Sequence, residues 1–407
     1  MGAEELEALG PVPAIFFGVL GLLFGSFLNV CIVRWGAEPK QSVVRPRSRC
    51  PKCGHEIAWY ENVPVVSWLA LRGRCRGCGN PISPMYPAVE LAVGLLWAWM
   101  TWRHGVTLLA LSHAVLGTLL LGIALTDARA FIIPHEFTFG GAALALAFAF
   151  AEGVPAGVEA LAGALFGAGL ILLVGEAGTL AFRRPAMGGG DVALMGLVGA
   201  FLGWQSVLAV VALGAVVSLV LHAASALLSR APAAVASNDA PEEGGGISPA
   251  VLGGALLAGL ALIAVMIVLM RAGTLGAALV LLRTGIMAAG AFYYVAFALP
   301  DRFVERTPWL QVGGLIALAA VVALWPPLSP ARLAGAAAAV VLMLWAVRRA
   351  PASGSELVDD ADSDTLRAHG YLPFGVGLAI AAFLLGIVIG APAVRAAFDA
   401  YAASVGL

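Results

Sequence analysis

Residues 12–33 read VPAIFFGVLGLLFGSFLNVCIV, an unbroken run without a single charged side chain. About 20 such residues in a helix cross the roughly 30 Å hydrocarbon core of a bilayer, so this stretch reads as a membrane span. The rest of the chain repeats the pattern. Further apolar segments fall near 86–102, 107–126, 136–151, 158–182, 191–204, 206–228, 250–270, 274–299, 309–325, 331–347 and 372–390, which brings the count to twelve. Over 407 residues, 61% are hydrophobic and 12% charged, whereas ordinary soluble domains carry about 25% charged residues. A water-soluble enzyme is excluded. The runs are long and unbroken rather than alternating pieces of about ten residues, so helices and not barrel strands are expected.

A net charge of −1 gives no reason to expect a nucleic-acid partner. The acidic start, Met1-Gly2-Ala3-Glu4-Glu5, lacks the basic region of a signal peptide, and the first run is expected to stay in the bilayer as a span. Basic residues set the orientation. With the N-terminus outside and twelve alternating spans, 18 of the 23 Lys and Arg residues fall on the inner side, nine of them in 34–85. The lipid bilayer is thus one partner, and the polar island 34–85 is expected in the cytoplasm. The boundaries read as a first transmembrane helix in 1–33, the island in 34–85, a bundle in 86–228, an inserted four-helix membrane unit with linkers in 229–371, and a final helix and tail in 372–407. That inserted unit holds only Asp301 and Glu305 as acids in 250–348 and is expected to be accessory, docked on the bundle or loosely attached.

Within the island, Cys50-Pro-Lys-Cys53 and Cys75-Arg-Gly-Cys78 form two C-x-x-C knuckles. Four thiolates so paired suit a tetrahedral Zn2+ with no open position, hence a structural ion. Two disulfides or a redox pair are the other reading, disfavoured in a reducing compartment. The fold class is therefore an all-α polytopic membrane protein with a small cytoplasmic zinc-ribbon-like domain. Cys31, inside the first span, reads as a buried small hydrophobe.

Two carboxylates stand at one end of the bundle. Asp127 closes an apolar run in Leu125-Thr126-Asp127-Ala128-Arg129, and Asp191 follows Gly188-Gly189-Gly190 at the start of the next one. A pair of aspartates sharing one proton can activate water and protonate a leaving amine. The plainer reading of Asp191 is a helix N-cap. Glu176 is an intramembrane contact or a partner of Arg183 and Arg184. His113 and His222 read as hydrogen-bonded packing residues.

These features resemble those of bacterial prepilin peptidases, the type IV leader peptidases. The resemblance rests on Gly25-Ser26-Phe27-Leu28-Asn29-Val30, Arg49-Cys50-Pro51-Lys52-Cys53-Gly54-His55 and Trp59-Tyr60-Glu61-Asn62-Val63-Pro64. It continues in Arg72-Gly73-Arg74-Cys75, Tyr86-Pro87-x-x-Glu90, Asp127 with Pro134, Gly188-Gly189-Gly190-Asp191 and Pro373-Phe374-Gly375. It implies that Asp127 and Asp191 are the catalytic pair of an aspartic endopeptidase in the bacterial inner membrane. Such an enzyme cuts the basic leader from type IV prepilins or pseudopilins at the cytoplasmic face. It also implies N-methylation of the new terminus from S-adenosylmethionine, with Glu61, Arg72, Arg74, Tyr86 and Glu90 as candidate contacts of the methyl donor. As residues alone, those five read as a zinc-ribbon scaffold with solvated charges.

Three positions depart from the family pattern. His135 stands where Asp or Asn is usual, Ala193 where Lys is usual, and Val376 where Pro is usual. The loss of a Lys near Asp191 removes a positive neighbour that would favour its ionised form. A transporter or assembly component reusing the scaffold is the alternative function. A zinc metalloprotease is opposed by the closed cysteine set and the absence of H-E-x-x-H.

Overall fold

The computed structural model describes residues 10–37, 40–182, 187–228, 283, 286–287, 289–291 and 374–404. Outside the island between Gly36 and Pro84 they are helical almost throughout. The helices are α1 (Val12–Trp35), α2 (Val66–Ala70), α3 (Met85–His104), α4 (Leu108–Ala130), α5 (His135–Glu152) and α6 (Val154–Phe182). They continue with α7 (Gly189–Leu202), α8 (Trp204–Leu228), α9 (Phe374–Phe383) and α10 (Ala391–Ser404). Among the described residues, four stretches are long and apolar enough to cross a membrane: Val12–Trp35, Leu108–Ala130, Val154–Thr179 and Phe374–Ala400. Two shorter apolar helices, Gly189–Leu202 and Trp204–Ser218, accompany them. Of the expected inserted spans, only 283, 286–287 and 289–291 are among the described residues.

The helices form where expected, with ends set by local chemistry. Thr107 caps α4 by accepting the Ala110 N–H at 3.1 Å. At its other end α4 runs past the apolar stretch, so Asp127 lies inside the last turn rather than beyond it. Phe131, at φ 55°, closes that helix by donating its N–H to the Asp127 carbonyl at 2.8 Å. Pro134 then opens α5. The last span does not stop at 390 as its hydropathy suggests. It passes through a wide π-helical stretch, Leu384–Gly390, into α10. The Val388 carbonyl of that stretch accepts a hydrogen bond from Arg103 Nη1 at 3.1 Å, a partner outside its own helix of the kind such widened turns leave room for.

The described residues group into two compact units. The first comprises 10–163, 197–221 and 374–394. In it α1 and α3 run antiparallel, with Gly18, Gly21 and Gly25 of α1 meeting Ala98, Trp97 and Glu90 of α3. A Cβ at Gly25 would lie 2.7 Å from the Glu90 Cα, so the two backbones touch. Close approach through small residues is how apolar helices associate where lipid removes the hydrophobic driving force. Around this seam Phe24 stacks on Trp97 at 4.8 Å, and Trp97 Nε1 donates to Thr118 Oγ1 at 2.9 Å.

The second unit comprises 164–182, 187–196, 222–228 and 395–404 with the described residues between 283 and 291. Here α6 uses two sets of close contacts. A Cβ at Gly167 would collide with the Met195 carbonyl of α7. One at Gly169 would collide with the Ile286 carbonyl, and one at Gly290 with that of Leu165. Both partners in this reciprocal contact are spaced four residues apart, one helical turn. Ile286, Met287, Ala289 and Ala291 are buried. These few residues pack against α6; the rest of the expected inserted unit lies outside the described residues.

Candidate active site and metal centre

The metal centre builds from two copies of one small loop. In the first, Cys50 N–H donates to the His55 carbonyl and Gly54 N–H to the Cys50 carbonyl, both at 2.9 Å. In the second, Cys75 N–H donates to the Asn80 carbonyl and Gly79 N–H to the Cys75 carbonyl, both at 2.8 Å. Single antiparallel bridges, Arg49 with Glu56 and Arg74 with Pro81, close each loop. Gly54 and Gly79 both sit at φ 71°, a left-handed conformation costly for any residue with a Cβ. This short internal repeat, R-C-x-x-C-G, is visible in the sequence once the two knuckles are aligned.

The two loops bring all four sulfurs within 4.8 Å of one another. Cys50 Sγ lies 3.9 Å from Cys78 Sγ, and Cys53 Sγ 3.9 Å from Cys75 Sγ. A Zn–S bond of about 2.3 Å in a tetrahedron places sulfurs about 3.8 Å apart. The donor set fits a divalent metal ion, and all four cysteines are free thiols. Backbone N–H groups of Cys53 and Lys52 pull the Cys50 thiol down to about 6. Cys53 receives the His55 N–H, yet desolvation and the adjacent cysteines push it up to about 11. The Cys50 thiolate thus forms readily while the Cys53 thiol resists ionisation.

Of the candidate methyl-donor contacts, two carboxylates have protein partners. The Glu61 Oε2 atom accepts the Ala58 N–H at 3.1 Å and lies 3.0 Å from His55 Nε2, and Arg76 approaches Oε1 at 3.5 Å. The Ala58 N–H and the His55 side chain hold this carboxyl below its ordinary range. Glu90, 8% exposed on α3, accepts the Val65 N–H at 2.7 Å. Its part as the anchor of an irregular loop was not legible from the motif. Arg72 and Arg74 are exposed, and Tyr86 is partly exposed with its carbonyl accepting from Asn29 Nδ2 at 3.0 Å.

Asp127 is 4% exposed at the C-terminal end of α4. Its wall is the start of the final span, where a Cβ at Gly375 would lie 2.5 Å from Asp127 Oδ2 and 2.8 Å from Ile133 Cδ1. Only a glycine leaves the carboxylate that much room. Asp191 stands in the first turn of α7, its N–H donating to the Gly188 carbonyl at 3.2 Å. Among the described residues its buried Oδ1 has no hydrogen-bond partner. Asp127 belongs to the first unit and Asp191 to the second. His135 stacks on Phe139 at 5.2 Å. Beside it, Glu136 takes both its oxygens to Lys40 of the island at 2.7 and 2.8 Å, a pairing the sequence did not announce. His113 Nδ1 lies 2.9 Å from the Leu109 carbonyl, in keeping with a packing role, and Glu176 is exposed.

Comparison with known proteins gives a consistent result. Residues 19–104 match the Bacterial Peptidase A24 N-terminal domain, and residues 114–223 match the Type IV leader peptidase family. The chain is 43% identical over 244 residues to the prepilin leader peptidase/N-methyltransferase of Myxococcus xanthus, covering 59% of this chain and 71% of that protein. It is 37% identical over 225 residues to the protein of the same name from Pseudomonas aeruginosa, covering 50% and 77%. The corresponding protein of Neisseria gonorrhoeae is 31% identical over 239 residues, covering 53% and 84%. No solved structure matches the chain.

Proposed function

The chain belongs to the type IV leader peptidase family, and from that footing we propose that it removes the leader from prepilins and methylates the new N-terminus. The observation that carries the peptidase reading is the Asp127 carboxylate, buried at the end of a span with room kept for it by Gly375. We assign Asp127 and Asp191 as the acid and base. One, ionised, takes a proton from water as the oxygen attacks the scissile carbonyl carbon; the other, protonated, gives its proton to the departing amine nitrogen. The proton gained by the first returns the pair to its starting charge.

The metal held by Cys50, Cys53, Cys75 and Cys78 is taken to be Zn2+ in a structural role, because four protein ligands leave it no open position. S-adenosylmethionine supplies the methyl group when bound. We assign its contacts to the island, where Arg72, Arg74 and Tyr86 have free surface and Glu61 and Glu90 hold the loops around them. The substrate class is type IV prepilins or pseudopilins. The proposed setting is the bacterial inner membrane, multi-pass, with the N-terminus outside and the aspartates and island facing the cytoplasm. The domain limits follow: first span in 1–33, island in 34–85, catalytic bundle in 86–228, inserted unit in 229–371, final span and tail in 372–407.

The test is incubation of the purified protein with a prepilin bearing a Gly–Phe junction and isotopically labelled methyl donor, read by mass spectrometry. Cleavage at that junction and one labelled methyl on the new amine are expected. An uncut substrate in the presence of folded, metal-loaded protein would favour the transporter or assembly reading.

A further inference from the structure

The segment Trp59–Ala70 carries an apolar face that no described residue covers. Trp59 is 82% exposed, and Val66 and Leu69, adjacent on one side of α2, are each 62% exposed. Tyr60, half exposed, stands edge-on to Trp59 with ring centroids 5.7 Å apart and carries the Arg76 guanidinium over its ring at 5.5 Å. Aromatic and aliphatic side chains left open in this way mark an interaction surface. What distinguishes this one is its depth.

The Val65 N–H is fixed to the Glu90 carboxylate, and the Glu90 backbone abuts Gly25. At 1.5 Å per residue, that contact lies about 7 Å inside α3 from Met85 and about 15 Å inside α1 from Trp35. At this level α1 turns Phe27 outward, and Ile15, Val19 and Leu23 continue the same exposed stripe. Such a stripe lies opposite the glycine seam of a candidate span, the side expected to meet lipid when that helix crosses a bilayer. The loop therefore sits beside the membrane-embedded part of the helix pair, not beyond its end.

Its backbone is built for that setting. The N–H groups of Asn62, Val63, Val65, Ser67 and Leu69 donate to Trp59 O, Ser67 Oγ, Glu90 Oε2, Val63 O and Val65 O respectively. Pro64 has no N–H to satisfy. Irregular backbone survives at membrane depth only when its polar groups find partners inside the protein. Arg72 and Arg74 follow within a few residues, exposed, where long cationic side chains reach back toward phosphate headgroups.

We infer that Trp59–Leu69 is an interfacial wedge of the island set into the adjoining phospholipid leaflet. Val66 and Leu69 rest against acyl chains, and Trp59 and Tyr60 lie at the headgroup level that amphipathic rings favour. The partner is a lipid surface with anionic headgroups. The inference is independent of the assignment of Asp127 and Asp191, shares Arg72 and Arg74 with the proposed methyl-donor surface, and requires that α1 spans the bilayer.

The test uses the full chain in nanodiscs of phosphatidylethanolamine and phosphatidylglycerol. The photoreactive residue p-benzoylphenylalanine replaces Val66, Leu69, Phe27 or Lys52 in turn, and adducts are identified by mass spectrometry after irradiation. Phe27, 52% exposed on α1, is the lipid-facing reference; Lys52, on a cysteine knuckle, is the reference outside the bilayer. Phospholipid adducts at positions 66 and 69 are expected at yields matching Phe27, and about tenfold or more below that at Lys52, because burial in the acyl boundary sets the contact. Should the Val66 variant fail to fold, Leu69 reports on the same side of α2. Adducts to a second protein chain, or no lipid adduct at 66 and 69 while Phe27 reacts, would overturn the inference.

Discussion

The cysteine island and the glycine seams hold together in opposite ways. In the island, order comes from groups that carry or develop charge: four thiols within 4.8 Å and carboxylates fastened to N–H groups. In the seams, order comes from the absence of side chains: at Gly25, Gly167 and Gly290 the neighbouring backbone occupies the space a Cβ would need. One region therefore answers to solution chemistry, meaning chelators, oxidants and acid, and the other answers to steric volume. The proposed reactions divide along the same line, peptide cleavage in the seamed bundle and methyl transfer on the island.

The largest effect should come from Asp127→Asn or Asp191→Asn. Loss of one acid–base partner is expected to lower cleavage by roughly 10²–10⁴-fold, with metal content unchanged. Methylation of a pre-cleaved pilin peptide should persist. Equal loss of both activities would erase the division between the two regions.

Next in size is Gly167→Leu, which would force α6 away from Met195 of α7. Overpacking against a backbone is expected to cost about 3 kcal/mol, read as a lowered thermal midpoint in detergent together with reduced cleavage. An unchanged midpoint would mean the seam yields freely. Gly290→Leu applies the same wedge to the inserted segment. Reduced cleavage there, with metal retained, would show that the insertion helps position the unit bearing Asp191 rather than riding on it.

Cys75→Ser, or a strong chelator, probes the other side of the comparison. Metal content should fall from one ion per chain to near zero, and the island should become protease-sensitive, because metal affinity in such a site is folding energy. Partial cleavage activity should survive. Detection of disulfides and no metal in the native protein would break the metal assignment itself.

The smallest effect belongs to Lys40→Ala. The Lys40–Glu136 pair is partly exposed, so its removal should shift stability by no more than about 1 kcal/mol, and less at high salt.

Much of the candidate site is legible in the sequence because its chemistry is local. C-x-x-C spacing brings two thiols together within one turn, and three glycines followed by an aspartate mark a helix start in any context. Spans were legible because hydropathy integrates over about 20 residues. What stayed hidden depends on partners far apart in the chain. Glu90 reads as a surface acid or a ligand contact until Val65 is seen to donate to it. Gly375 reads only as part of the Pro373-Phe374-Gly375 motif until Asp127 is found against it. Hydropathy also missed where α4 and the last span end, because Arg129 and the polar residues after 390 lower the average while leaving the helix intact.

That contact between Asp127 and Gly375 has a consequence for biosynthesis. The residue that walls the buried carboxylate lies about 250 positions downstream of it, so at 5–20 residues per second the ribosome delivers the wall tens of seconds after the aspartate. Throughout that interval the nascent chain holds Asp127 in a span with one side of its pocket unbuilt. The finished surroundings of Asp127 thus arrive late in translation, after the 229–371 segment has been made, and every truncated product that ends before Pro373 lacks them.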